Sequence, residues 1–144
     1  MKKQFQRQQE NEPIQNRYRG CLLGGAVGDA LGAPVEFLTR AKIIQQFGPQ
    51  GIQEYATAFG KLGAITDDTQ MTLFTAEGVM RAWTFAFDEG SCHIPSVIAQ
   101  SYQRWLHTQG APNKLQDSCL DGWLLNWTLN KKITICAPSG QCMR

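Results

Sequence analysis

The sequence predicts an all-α protein. Apolar residues recur at spacings of three and four in separate stretches, no convincing alternating strand pattern occurs, and the Gly and Pro breakers fall between the periodic stretches. The chain has 144 residues, of which 42% are apolar and 18% charged. That composition suits one folded domain with a core of ordinary size.

The elements follow in order. Residues 1–13 are Gln-rich and polar, close on Pro13, and are expected to be a disordered tail. A helical pattern then runs from Ile14 to about Ala33, with Ile14, Tyr18, Cys21, Leu22 and Ala26 on one broad face. Along it, Gly20, Gly24, Gly28 and Gly32 fall every fourth residue. Each glycine destabilises a helix by about 1 kcal/mol relative to Ala. Four on one stripe therefore need an offsetting gain, and close approach of another backbone is the expected one. A glycine-rich loop is the alternative; against it, Tyr18 to Val27 contains no Pro, Asn or Ser.

Thr39 to Phe47 reads as a short helix stopped by Gly48-Pro49. Residues 48–65 hold four glycines without a sustained period and read as a loop, long enough to suggest function. Thr66 to about Phe87 is the clearest helix, with Met71, Phe74, Gly78 and Ala82 in one line and Thr75, Val79 and Trp83 beside it. Ile94 to His107 is another, with Pro95 in its first turn. Its inward face is Val97, Ile98, Ser101, Tyr102, Trp105 and Leu106. After Gly110-Ala111-Pro112, Leu115 to Leu129 reads as a short helix plus loop, and residues 130–144 have no period. The expected organisation is a polar tail over 1–13, one domain over 14–129 and an irregular segment over 130–144.

Charge and cysteine content narrow the function. A net charge of +2, with basic residues gathered near both ends, argues against nucleic acid. Five cysteines without a C-x-x-C pair argue against a disulfide framework and a structural zinc site, and fit a reducing, cytoplasmic setting. The N-terminus lacks the apolar run of a secretory signal, and no run of about 18 apolar residues would span a membrane.

The chemistry concentrates in Thr66-Asp67-Asp68-Thr69, at the start of the strongest helix. One reading is purely structural: Thr66 caps the helix and the acidic residues suit its dipole. Yet capping uses only one or two such groups, and four consecutive residues here carry side-chain oxygen. Adjacent carboxylates repel and are easier to hold ionised with a cation between them. Oxygen donors from Thr and Asp suit Mg²⁺ or Mn²⁺. Upstream, Asp29 lies near the end of the glycine-striped helix and Glu36 beyond Pro34, which should turn the chain there. His93 and His107 read as surface or helix-end residues; Trp123 and Trp127 could stack an adenine but more commonly belong to a core.

The run from Arg19 to Phe37, RGCLLGGAVGDALGAPVEF, followed by GAITDDTQM over 63–71, closely resembles the opening of the ADP-ribosylglycohydrolase family. The likeness extends from about Arg17 to Asn126. It implies a compact, orthogonal all-α fold of which this chain is the truncated N-terminal part, with two Mg²⁺ or Mn²⁺ ions in a central cleft. It implies Thr66, Asp67 and Asp68 as metal ligands, Glu36 as the catalytic acidic residue and Asp29 in a positioning role behind the ligands. The implied reaction is metal-dependent hydrolysis of the glycosidic bond joining ADP-ribose to a protein side chain or small acceptor. The family's second Asp-rich motif has no counterpart, since no Asp or Glu follows Asp121. The expectation is weak metal binding and impaired turnover, with residues 130–144 foreign to the fold through frameshift or truncation. The alternative is a non-catalytic interaction protein that keeps part of the helical scaffold.

Overall fold

The computed structural model describes residues 2–112 together with Gly122 and Leu124, with side chains from Pro13 onward. Its described elements run α1 (Lys2–Gly32), α2 (Arg40–Phe47), β1 (Thr57–Ala58), β2 (Lys61–Leu62), α3 (Asp67–Glu89) and α4 (Ile94–Thr108). Helix dominates, and the fold class is all-α. The chain divides into two compact units, residues 1–65 and 66–144. No helix among the described residues is long and apolar enough to cross a membrane.

In the first unit, α1 starts well before the expected boundary. The segment expected to be a disordered tail is helical from Lys2, with Pro13 inside the helix. Pro13 withholds one backbone donor, but Lys, Gln, Arg and Glu around it are straight-chain residues of good helix propensity. The close approach expected along the glycine stripe does not occur among the described residues. A Cβ built on Gly20, Gly24, Gly25, Gly28 or Gly32 meets no atom within 4 Å among the described residues. Of the expected apolar face, Ile14, Tyr18 and Cys21 are exposed, while Leu22 and Ala26 are half-buried.

α1 closes with the Ala33 N–H donating to the Asp29 carbonyl at 2.8 Å. The chain then turns through residues 33–37, with bonds from Val35 to Gly32 and from Leu38 to Val35. Pro34 does turn the chain and carries Glu36 off the helix. Thr39 caps α2 by accepting from the Lys42 N–H at 3.4 Å. Gly48 stops it at φ 82°, ψ 179°, a conformation open essentially only to glycine.

The 48–65 segment is not wholly loop. β1 and β2 form a short antiparallel hairpin, Thr57 opposite Leu62 and Ala58 opposite Lys61. Phe59 and Gly60, at φ 50° and 75°, make the two-residue turn whose twist matches that of paired strands. Two paired residues per strand are too few for an alternating pattern to register. The Phe59 ring packs against Ala33, Ala58 and Ala64, the small core of this unit, and that burial offsets its unfavourable φ.

In the second unit, α3 and α4 form an antiparallel hairpin. Gln70, Thr75 and Gly78 of α3 meet, in turn, Trp105 with Gln109, Tyr102, and Ser101 with Ile98. Gly90, left-handed at φ 75°, ends α3, and Pro95 occupies the first turn of α4. Phe74, Trp105 and Leu124 form the core, flanked by Met71, Leu73 and Leu106. The expected inward face of α4 is buried or half-buried throughout, and Arg104 joins it. On α3 the buried set is Thr69, Gln70, Phe74, Glu77, Gly78 and Ala82. Val79 and Trp83, expected beside the core line, are exposed instead, Trp83 by 76%. The helix is rotated so that Gln70 and Glu77, one turn either side of Phe74, face α4.

Candidate functional site

Thr66 is extended (φ −105°, ψ −166°) and is the N-cap of α3, so Asp67 and Asp68 are its first two helical residues. The Thr66 hydroxyl accepts from the Asp68 N–H at 3.3 Å, and its carbonyl accepts from the Gln70 N–H at 3.3 Å. Three residues before the cap, Gly63 is left-handed at φ 63°, and the Tyr55 ring lies 3.6 Å from where a Cβ would be, an ordinary packing distance. Thr66 and Thr69 are buried, Asp67 is half-buried and Asp68 is exposed. Two carboxylates and a hydroxyl thus share one turn at the positive end of a 23-residue helix.

The structural reading of this turn is realised: Thr66 does cap the helix. The capping bond occupies one lone pair of the Thr66 hydroxyl oxygen. Thr66, Asp67 and Asp68 form a set of hard oxygen donors, which fits Mg²⁺ or Mn²⁺ and not a soft cation. Three side chains fall short of a six-oxygen shell. Among the described residues no three His, Cys, Asp or Glu side chains are grouped to hold an ion, so further ligands would be waters or groups outside those residues.

Asp29 and Glu36 belong to the first unit and Thr66 to Asp68 to the second. Asp29 is half-buried in the last turns of α1. Glu36 is exposed on the turn after Pro34. Both side chains have polar or electrostatic partners. Of the histidines, exposed His93 is the N-cap of α4, its Nδ1 2.7 Å from Ser96 Oγ, and His107 lies in the last turn, as expected for helix-end residues. Trp123 and Trp127 lie outside the described residues.

Two polar networks behind the turn were not read from the sequence. In the first, buried Gln70 accepts at Oε1 from Trp105 Nε1 at 2.9 Å and from Gln109 Nε2 at 3.3 Å. In the second, fully buried Glu77 faces Arg81 Nε at 3.4 Å and Arg104 Nε at 3.8 Å, while Arg104 Nη2 donates to buried Ser101 at 2.6 Å. Gly122 lies against the second: a Cβ there would sit 2.6 Å from Glu77 Oε1 and 2.8 Å from Arg81 Nη2. The available signal was the stripe of Gln70, Phe74, Glu77 and Arg81, which has helical spacing but mixed polarity.

Comparison with known proteins gives a consistent answer. The family model for ADP-ribosylglycohydrolase matches residues 10–144, a range that includes the segment over 130–144 expected to be foreign. An ADP-ribosyl-[dinitrogen reductase] glycohydrolase of Rhodospirillum rubrum is 50% identical over 113 residues, covering 76% of this chain and 34% of that protein. An uncharacterized protein of Archaeoglobus fulgidus is 36% identical over 95 residues, covering 64% of this chain and 28% of that protein. The chain therefore spans about a third of the length of the curated relatives it matches. No solved structure gives a significant match.

Proposed function

The chain belongs to the ADP-ribosylglycohydrolase family, and from that premise we propose that it carries part of a metal-dependent glycohydrolase site. The reaction is hydrolysis of the bond between the ribose carbon of ADP-ribose and an acceptor, either a protein side chain or a small molecule. The observation that carries this reading is the donor turn, Thr66, Asp67 and Asp68 on one turn at the start of α3.

In this reading Thr66, Asp67 and Asp68 hold one or both of two Mg²⁺ or Mn²⁺ ions. The bound metal would supply Lewis-acid polarisation and orient the ribose hydroxyls and a water. Glu36, exposed on a turn, handles the proton that moves between water and leaving group. Asp29 positions the groups around it. Carboxylates near the ribose stabilise the positive charge of an oxocarbenium-like transition state. With about a third of a relative's length present, this chain alone is proposed to turn over slowly or not at all. A reducing, cytoplasmic setting accompanies the reading.

A thermal-melt series with Mg²⁺ or Mn²⁺ tests the metal site, beside an assay of ADP-ribose release by a counterpart of the relatives' full length. Metal at 100 times its Kd stabilises the fold by about 2.7 kcal/mol, so the melt should rise clearly. Replacing both Asp67 and Asp68 with Asn should abolish the rise and the release. If neither changes, the turn is only a helix cap.

One observation favours a second reading, a non-catalytic interaction protein. Val79, Met80, Trp83 and Phe87 lie together on the outer side of α3 and are exposed there. Absence of any metal shift, together with oligomers on a sizing column, would support it.

A further inference from the structure

Gln70 is an odd residue to bury. It is 7% exposed in the seam between α3 and α4, next to Phe74 and Trp105, where an apolar side chain of similar volume would pack equally well. Its Oε1 takes both the Trp105 indole N–H and the Gln109 amide. Those donors are themselves held. Trp105 is buried in the core, its carbonyl accepts from the Thr108 hydroxyl at 2.6 Å, and Gln109 Nε2 also reaches Thr108 Oγ1 at 3.0 Å. One carboxamide oxygen of α3 is thereby fixed to the C-terminal turn of α4, across 35 and 39 residues of sequence.

The position of Gln70 gives this its consequence. Residues three and four apart lie on the same helix face, so Asp67 and Thr66 stand one turn before Gln70 on its own stripe. The Gln70 N–H also closes the first bond of the helix, to the Thr66 carbonyl. Apolar contacts are non-directional and would let α3 rotate or slide by fractions of an ångström. Further along, the Thr75–Tyr102 bond and the close contact of Gly78 with Ile98 and Ser101 also hold α3; the paired hydrogen bonds at Gln70 hold its rotation and axial position one turn from Asp67.

Resting on the proposed metal site, we propose that Trp105 and Gln109, acting through Gln70, are positioning residues that aim the donor turn at the cation. Groups that orient metal ligands from behind typically change affinity by about 10- to 100-fold when removed. Trp105→Phe removes the indole donor and keeps the aromatic bulk; Gln70→Met removes the acceptor at nearly constant volume.

The test measures Mn²⁺ affinity by the electron paramagnetic resonance signal of the free ion, with melting in EDTA recorded for each variant. Either substitution should weaken Mn²⁺ binding about tenfold or more, and the double variant should lose little beyond a single one, because both break the same link. Melting in EDTA should fall only modestly. Should one variant fail to fold, the other reports alone. Mn²⁺ affinity equal to that of the parent in a folded variant overturns the positioning role while leaving the metal site standing. A parent chain that binds no Mn²⁺ overturns both.

Discussion

Replacing Gly78 with Ala tests the close approach of α3 and α4. A Cβ at Gly78 would lie 2.8 Å from Ser101 Oγ, 3.1 Å from the Ile98 Cα and 3.3 Å from Ile98 Cγ1. Ala would gain about 1 kcal/mol of helix propensity. Against that, Ser101 cannot simply rotate away: its hydroxyl donates to the Val97 carbonyl at 3.3 Å and accepts from Arg104 at 2.6 Å. Overpacking a tight contact costs about 1–3 kcal/mol, and a hydrogen bond to a charged group is worth about 1.5–3 kcal/mol. The clash wins: with the Arg104 bond lost as well, the net loss is roughly 1.5–5 kcal/mol. Urea unfolding followed by far-ultraviolet circular dichroism should show a lower midpoint at unchanged slope. Adding Ser101→Gly removes the nearest atom, so the double variant should lose less than the sum of the singles. Gly24→Ala is the control. With no described atom within 4 Å, it should be neutral or gain up to about 1 kcal/mol. If Gly78→Ala is as stable as the parent, or more so, α3 and α4 do not pack this tightly at Gly78.

Two further outcomes follow from the second unit. Glu77→Ala should destabilise it by about 1.5–3 kcal/mol, because buried Arg104 and half-buried Arg81 would both lose Glu77 as an ion-pair partner; moderate salt should not restore the loss, which a urea midpoint measured with and without salt would show. Thr66→Ala should lower stability by about 1 kcal/mol through the lost cap and should also weaken Mn²⁺ binding, whereas Thr66→Ser should preserve the unfolding midpoint.

Much of the local structure was legible because it depends on neighbours in sequence. The Thr39 cap, the Gly48 stop and Pro95 in the first turn of α4 act within four residues, and each lies where its chemistry predicts. The donor turn was legible for the same reason, since Thr66, Asp67 and Asp68 are consecutive. The glycines were not. Spacing pointed to Gly20, Gly24, Gly28 and Gly32 as the close-approach stripe, but backbone contact requires a partner that periodicity cannot reveal. Gly78, read in the sequence only as a member of the core line of α3, is where α4 comes near.

The sequence by itself determined the helical class, most helix boundaries and the residues that bring oxygen to the start of α3. Only the tertiary structure decided which way that helix is turned. Gln70 faces Trp105 and Glu77 faces Arg104, pairings that join positions 27 to 35 residues apart. Hydrophobic periodicity marks how much of a helix is buried, because burial scales with apolar area whatever its direction. It carries no record of buried polar groups satisfied from a distant helix, and here those groups fix the orientation of the donor turn.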